Sequence, residues 1–166
     1  MARVLDASAS TPFIGRVREL REIGQALGRA RAGNGSVVLV TGEPGIGKTR
    51  LVEEAVGDHT GPLAWGLCAA DDGAPAFRPW IDVLSRFTDR LVVPAPGRAA
   101  ENLDAFTGGH PHRSTSADAS RFRLFEDVVD VLAAASRDDV AVIVLDDLHR
   151  ADVDSVHLLR FVAVQA

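Results

Sequence analysis

The chain has 166 residues, 46% of them hydrophobic and 25% charged, values that are typical of one globular domain and exclude a disordered or fibrous chain. Its net charge of −5 argues against direct contact between this segment and a nucleic acid backbone, which favours basic surfaces. The longest apolar run, 140–145, is far shorter than the roughly 20 residues that cross a membrane. The single cysteine, Cys68, allows no internal disulfide. We therefore expect a cytoplasmic domain in which Cys68 is a small core residue.

The first half of the chain alternates helical and strand patterns. Residues 1–11 have no periodicity and are expected to form a loose leader. Apolar residues at helical spacing predict an amphipathic helix over 16–32. The β-branched run at 36–41 predicts a strand of the kind that is buried in a parallel sheet. A second helix is predicted over 48–56, and a second strand over 62–68.

The same alternation continues in the second half. Helical patterns span 76–87 and 120–136, and between them the segment 94–119 is rich in proline and glycine, which predicts a long loop or insertion. The apolar run 140–145 predicts a third buried strand, and 153–164 predicts a further helix. Alternating strands and helices imply an α/β fold in which helices cover both faces of a parallel sheet.

One segment matches a phosphate-binding motif, in which a glycine and four further residues precede Gly-Lys-Thr. It follows a predicted strand and opens a predicted helix, so backbone N–H groups and the positive helix end can face one phosphate chain. We expect Lys48 to reach the β and γ oxygens and the Thr49 hydroxyl to bind magnesium. The predicted cofactor-binding residues are Gly42, Glu43, Pro44, Gly45, Ile46, Gly47, Lys48, Thr49 and Arg50.

Lys48 is the only lysine of the chain, and the other 17 cationic side chains are arginines. An ammonium is a compact point charge, whereas a guanidinium is a broad planar fork. The one lysine therefore stands where a point charge must fit among phosphate oxygens. We predict that it contributes to catalysis as well as to binding.

Two acids, Asp146 and Asp147, end the third predicted strand. Ligands of open α/β folds bind at the carboxyl ends of the strands, and magnesium needs a carboxylate opposite the phosphate loop. We predict that Asp146 joins Thr49 in the magnesium site, through water, and that Asp147 orients the attacking water as a catalytic residue. The alternative for either acid is a solvated turn.

Three motifs together resemble the AAA ATPase domain of the origin-recognition (Orc-like) type: 12–16 followed by Glu-Leu at 19–20, the loop 42–49, and 146–149 followed by Ala-Asp at 151–152. More narrowly, the chain looks like the ATPase module of large ATP-binding LuxR-class regulators and related STAND P-loop NTPases. The resemblance implies a three-layer ASCE-type P-loop fold that binds ATP or ADP with Mg²⁺. It also implies C-terminal sensor and DNA-binding domains, and a nucleotide-dependent oligomer.

The resemblance further implies that Phe13, Ile14 and Gly15 line the adenine pocket. From the residues alone, the alternative is that Phe13 and Ile14 only staple the first helix. Such proteins commonly have an acid and an aromatic residue where this chain has Val17 and Arg150, which puts partner contacts beside the nucleotide in doubt.

His149 stands next to the two acids, and the sequence leaves open whether it is a site group or a packing residue.

Three function classes fit the motifs. The leading one is a regulatory ATPase that acts as a nucleotide-dependent switch with slow hydrolysis. The second is a nucleotide-binding scaffold without significant turnover, and the third is a small-molecule kinase, although no acceptor pocket can be identified after the second strand.

The resemblance implies five central strands, of which three are legible at 36–41, 62–68 and 140–145. We therefore expect 12–166 to be a partial domain that ends after the acidic strand and the following helix, and that hydrolyses ATP poorly by itself. Without an intervening strand, 36–41 and 140–145 must either pair directly or leave backbone groups unpaired.

Overall fold

The computed structural model describes residues 13–68, 76–88 and 117–165. Within these ranges lie five helices, two strands and a short 3-10 turn, and none of the helices is long and apolar enough to cross a membrane. In chain order the elements are α1 (Val17–Arg31), α2 (Lys48–Val56), β1 (Leu63–Leu67), α3 (Arg78–Thr88), α4 (Ala117–Ala135), β2 (Val142–Asp146), the 3-10 turn (Leu148–Arg150) and α5 (Val153–Gln165).

The five predicted helices are confirmed, and so are the second and third predicted strands. The helix expected over 120–136 begins three residues earlier, at Ala117, because the preceding Ala-Asp-Ala segment joins it. Residues 117–119 are therefore helical and not part of the predicted loop. The rest of that loop, and the predicted leader 1–11, lie outside the described residues.

The two strands pair in parallel, in a register that places Leu67 beside Asp146. Successive side chains of a strand point to opposite faces of the sheet. The face that carries Ala64 and Ile143 packs into the hydrophobic core. The acidic end of β2 is thus fixed by an apolar strand pair that is anchored in the core.

Gly66 of β1 lies where the first turn of α3 crosses the sheet. A Cβ atom at this position would stand 2.2 Å from the carbonyl oxygen of Pro79 and 2.8 Å from its carbonyl carbon. Both atoms belong to the backbone, so no side-chain rotation could relieve the overlap. The absence of a side chain at Gly66 is therefore what lets α3 pack directly on the strand.

The core lies between that sheet face and α3, α4 and α5. The fully buried Trp80 donates its indole N–H to the carbonyl of Ser155 at 3.0 Å, which ties α3 to α5. The ring of Phe125 packs edge-on against Phe77, with centroids 6.1 Å apart, and in a tilted arrangement against Phe161 at 5.5 Å. The remaining buried members are Val83, Leu84, Phe87, Val128, Val131, Leu132, Ala135 and Leu158.

The strand predicted at 36–41 is not formed. In the described part of the chain its backbone makes no hydrogen bonds to other backbone groups. The side chains of Val37, Val38 and Leu39 are 56%, 46% and 70% exposed. Strand propensity is realised only against a neighbouring strand, and no described strand runs beside this segment. Of the two outcomes foreseen from the sequence, the structure has unpaired backbone.

The predicted three-layer arrangement is therefore only partly present. The sheet has two strands among the described residues, and one face packs into the core. On the other face Leu67 is 56% exposed and Trp65 is half-buried, while α1 and α2 pack against each other. The α/β class and the parallel pairing are confirmed, but a sheet covered on both faces is not.

Candidate functional site

The predicted phosphate-binding loop leads directly into α2. Gly45 and Gly47 have φ angles of 76° and 85°, a left-handed backbone that glycine adopts at low cost. The Lys48 ammonium donates hydrogen bonds to the carbonyls of Gly42 and Glu43, both at 3.2 Å. The Lys48 side chain therefore lies across the start of the loop. It forms no ion pair with any carboxylate of the described residues.

The end of β2 forms the facing wall. Asp146 Oδ2 accepts a hydrogen bond from the Thr49 hydroxyl at 2.9 Å, and its Oδ1 accepts one from the N–H of Asp147 at 2.9 Å. The Asp146 carbonyl accepts from the N–H of Cys68 at 3.0 Å, which fixes the strand end to β1. The predicted pair of Thr49 and Asp146, 97 residues apart in sequence, is thus in direct contact.

The loop and the strand end line an open cleft with a volume of about 640 Å³. Asp146 and Asp147 line it on the strand side. Of the predicted loop residues, the ones that line it are Pro44, Gly45, Gly47, Lys48, Thr49 and Arg50. The structure therefore brings the predicted phosphate-binding and acidic groups together around one space.

Sequence reasoning missed two residues of the cleft and left a third open. Glu53 lines the cleft from α2, and its spacing of four residues from Thr49 was a signal that both share one helix face. His149 and Arg150 line it from the 3-10 turn. The imidazole Nδ1 of His149 lies 3.9 Å from Asp147 Oδ1, so it belongs to the cleft and not to the core.

The predicted adenine-binding residues are not part of this cleft lining. Phe13 is half-buried, and Ile14 is 84% exposed. Arg16, which follows Gly15, has a left-handed backbone with φ 51°, and its guanidinium donates a hydrogen bond to the Ile46 carbonyl. The segment around Gly15 is thereby tied to the phosphate loop, while its role in holding adenine stays a prediction.

The Cys68 thiol is buried beneath the acidic wall. Burial raises its pKa, and the negative charges of Asp152, Asp147 and Asp146 raise it further, in that order of size. The thiol therefore stays protonated and is a poor nucleophile. The prediction that Cys68 is a small core residue is confirmed.

Asp152 caps α5 and ties it to the start of α3. Its Oδ1 accepts a hydrogen bond from the Ser155 N–H at 2.9 Å, and its Oδ2 accepts from the Ser155 hydroxyl at 2.6 Å and the Phe77 N–H at 3.3 Å. Burial alone would raise the pKa of Asp152, but the hydrogen bonds from Ser155 and Phe77 outweigh it and hold the pKa below its usual value.

Replacing Asp152 with alanine is expected to lower the free energy of unfolding by about 1–2 kcal/mol, as loss of an N-cap does. The pKa in the folded chain is depressed, so the stabilisation is complete above the unfolded value of about 3.9 and is lost as the pH falls through the lower folded pKa. Urea denaturation of both proteins at pH 7 and at pH 3 measures this. Asp138→Ala, at an exposed acid outside these contacts, is the control. A deficit of equal size at both pH values would contradict the assignment.

A glycine-rich loop that opens a helix, facing a strand end with two acids, is the arrangement of P-loop nucleotide-binding proteins. Comparison with known families agrees, because residues 12–165 match the AAA ATPase domain. The chain belongs to this family. AAA ATPase domains bind ATP, usually with Mg²⁺, and membership implies nucleotide binding.

Similarity to individual proteins is more limited. A segment of 43 residues is 54% identical to part of an uncharacterised protein of Rhizobium meliloti (strain 1021). The matched segment covers 26% of this chain and 4% of that protein. No solved structure matches the chain significantly.

Proposed function

We propose that the cleft binds Mg-ATP and hydrolyses it slowly, and that the chain is the nucleotide-dependent switch of a signal-transducing transcriptional regulator. The observation that carries the proposal is the 2.9 Å contact between the Thr49 hydroxyl and the Asp146 carboxylate. It joins the helix that follows the phosphate loop to the acidic strand end, which are the two halves of a P-loop site.

The loop side of the cleft suits the phosphate chain. The N-terminal turn of α2 has backbone N–H groups without partners within the helix, and it carries the positive end of the helix dipole. Lys48, whose partners among the described residues are two backbone carbonyls, has donors that phosphate oxygens can accept. Gly45 and Gly47 add no side chain between the backbone and the ligand.

The residues at the contact also fit magnesium. A hydroxyl and a carboxylate are hard oxygen donors, and Mg²⁺ is usually held by one or two carboxylates together with water and phosphate oxygens. Within 13–68, 76–88 and 117–165, no three His, Cys, Asp or Glu side chains are grouped to hold a metal ion by themselves. Thr49 and Asp146 would therefore hold the ion jointly with the nucleotide, and the ion would neutralise charge on the phosphate oxygens.

On this proposal, Asp147 holds the attacking water molecule. Its side chain is 44% exposed within the cleft, and its left-handed backbone, φ 53°, is an unusual conformation for a residue with a side chain. The carboxylate orients water for attack on the terminal phosphorus, and ADP and inorganic phosphate leave. Where many relatives of the resembled type carry a longer glutamate, aspartate implies slow turnover.

The switch role draws support from the resemblance of the motifs at 12–16, 42–49 and 146–149 to LuxR-class and STAND ATPases. On this proposal, ATP stabilises one conformation, and hydrolysis releases it to sensor and DNA-binding domains elsewhere in the protein. The chain acts in the cytoplasm and contacts no nucleic acid itself, in line with its net charge of −5.

Replacing Asp147 with asparagine is expected to lower ATP turnover by about a hundredfold while affinity for Mg-ATP changes by less than about twofold, because the carboxylate acts on water and not on the ground-state nucleotide. Phosphate release and calorimetric titration measure the two quantities. Asp130→Asn, the same change at an exposed position of α4, is the control. If the wild type bound Mg-ATP but released no phosphate, the chain would be a nucleotide-binding scaffold. If it bound no nucleotide, the proposed function would be wrong.

A further inference from the structure

We infer that Arg150 is a ligand of the terminal phosphate and makes the site select a nucleoside triphosphate over a diphosphate. The inference rests on the proposed function and adds a residue that the phosphate-binding motif does not include. Arg150 lines the cleft together with Asp146 and Asp147.

The backbone around Arg150 is held in place while its side chain is not. The Arg150 N–H donates to the Asp147 carbonyl at 2.8 Å, and the Ala151 N–H donates to the Leu148 carbonyl at 3.1 Å. These bonds close the 3-10 turn directly after the acidic strand end. The guanidinium is exposed and has no hydrogen-bond or ion-pair partner among the described residues.

This combination distinguishes Arg150 from the other described arginines. Arg50, the other arginine of the cleft, already takes part in an interaction and stands on the loop side. Several arginines away from the cleft pair with carboxylates, namely Arg18 with Glu22, Arg31 with Asp139, Arg78 with Asp82 and Arg121 with Asp154. Arg150 therefore combines free donors with a place in the cleft.

The direction of the bound phosphate chain decides which phosphate group Arg150 contacts. The backbone of a P-loop cradles the α- and β-phosphates and its lysine reaches the β- and γ-phosphates, so the third phosphate lies at the end of the backbone cradle. The facing wall consists of Asp146, Asp147, His149 and Arg150. Of the described groups there, Arg150 is the permanently charged cation, and it is the group that would contact the terminal phosphate.

The negative charges of Asp146 and Asp147 are the reason why a cation is needed beside the terminal phosphate. A terminal phosphate that approaches Asp146 and Asp147 meets two negative charges, of which Asp146 is shared with the metal in the proposed site. A guanidinium presents several donors in a fork that matches phosphate oxygens. Arg150 offsets the repulsion from Asp147 only when the third phosphate is present, so its effect on a diphosphate is small.

The test compares two nucleotides across matched variants. The full chain is titrated with Mg²⁺ and either ADP or the non-hydrolysable triphosphate AMP-PNP. Arg150→Ala is expected to weaken AMP-PNP binding about tenfold and ADP binding less than about twofold. Arg150→Lys should lie between wild type and alanine, because it keeps the charge and loses the fork. Arg160→Ala, at an exposed arginine of α5 outside the cleft, should bind both nucleotides like the wild type.

Each outcome decides the question. Equal loss of both nucleotides, or no change in either, in a variant with the thermal transition of the wild type would overturn the assignment of Arg150 and leave the proposed function standing. A wild type that binds neither nucleotide would overturn the proposed function and the role of Arg150 with it. A loss of affinity that is confined to AMP-PNP supports both the proposed function and the role of Arg150.

Discussion

Replacing Lys48 with alanine is expected to lower the affinity for Mg-ATP by about a hundredfold. The ammonium lies across the phosphate loop, where it donates to the carbonyls of Gly42 and Glu43 at 3.2 Å. Charge-assisted hydrogen bonds contribute about 1.5–3 kcal/mol each, so one strong bond to phosphate accounts for a loss of this size, about 2.7 kcal/mol. Because the chain has no second lysine, none can replace it. Calorimetric titration of both proteins gives the ratio.

The control for Lys48 is Arg123→Ala, which removes one positive charge from the exposed surface of α4. It should leave the affinity unchanged, which separates a local contact from a general effect of net charge. Thermal unfolding of Lys48→Ala should match the wild type, since the lost hydrogen bonds are exposed. Equal affinity of wild type and Lys48→Ala for Mg-ATP would show that the phosphates bind elsewhere.

A second large effect is expected from Gly66→Ala, on stability. The added methyl group would stand 2.2 Å from the Pro79 carbonyl oxygen. Because that oxygen belongs to the backbone of α3, the helix must move off β1 or the strand must bend. Overpacking of this kind costs about 3 kcal/mol. For a chain of this size the melting temperature should fall by about 6–12 °C. Calorimetry or thermal circular dichroism measures the shift.

The chain offers a matched control for Gly66 within α1. Gly28 lies in that helix, and a Cβ added there meets nothing within 4 Å. Gly28→Ala should therefore stabilise the chain by about 0.5–1 kcal/mol through its higher helix propensity. The same chemical change thus has opposite signs at the two positions. A Gly66→Ala protein that melts like the wild type would mean that α3 does not lie on the strand.

Local patterns predicted the helices because their signals are local. Residues 48–56 were expected to be helical from the sequence alone, and α2 has those bounds. The pairing of Thr49 with Asp146 was also predictable, because a magnesium site of this kind needs the hydroxyl after the phosphate loop and a carboxylate opposite it. The two motifs indicate this part of the site although 36–41, which precedes the loop, does not form a strand.

The remaining features depend on which elements meet in three dimensions. The run 36–41 has strand propensity, but no described strand lies beside it to bond with its backbone. Arg150 was judged from the sequence only as a departure from related proteins, and its place in the cleft follows from the left-handed turn at Asp147. The hydrogen bond from Phe77 to Asp152 joins residues 75 positions apart, which no spacing rule foresees.

The indole of Trp80 gives the molecule an optical reporter of its own. The chain has two tryptophans and no tyrosine, so its intrinsic fluorescence arises from Trp80 and Trp65. Trp80 is fully buried and donates to the Ser155 carbonyl, and it follows directly after the proline that rests on Gly66. Separation of α3 from the strand or from α5 would expose this ring to water and shift its emission to longer wavelength. The packing around the acidic strand end can therefore be followed in solution without a label.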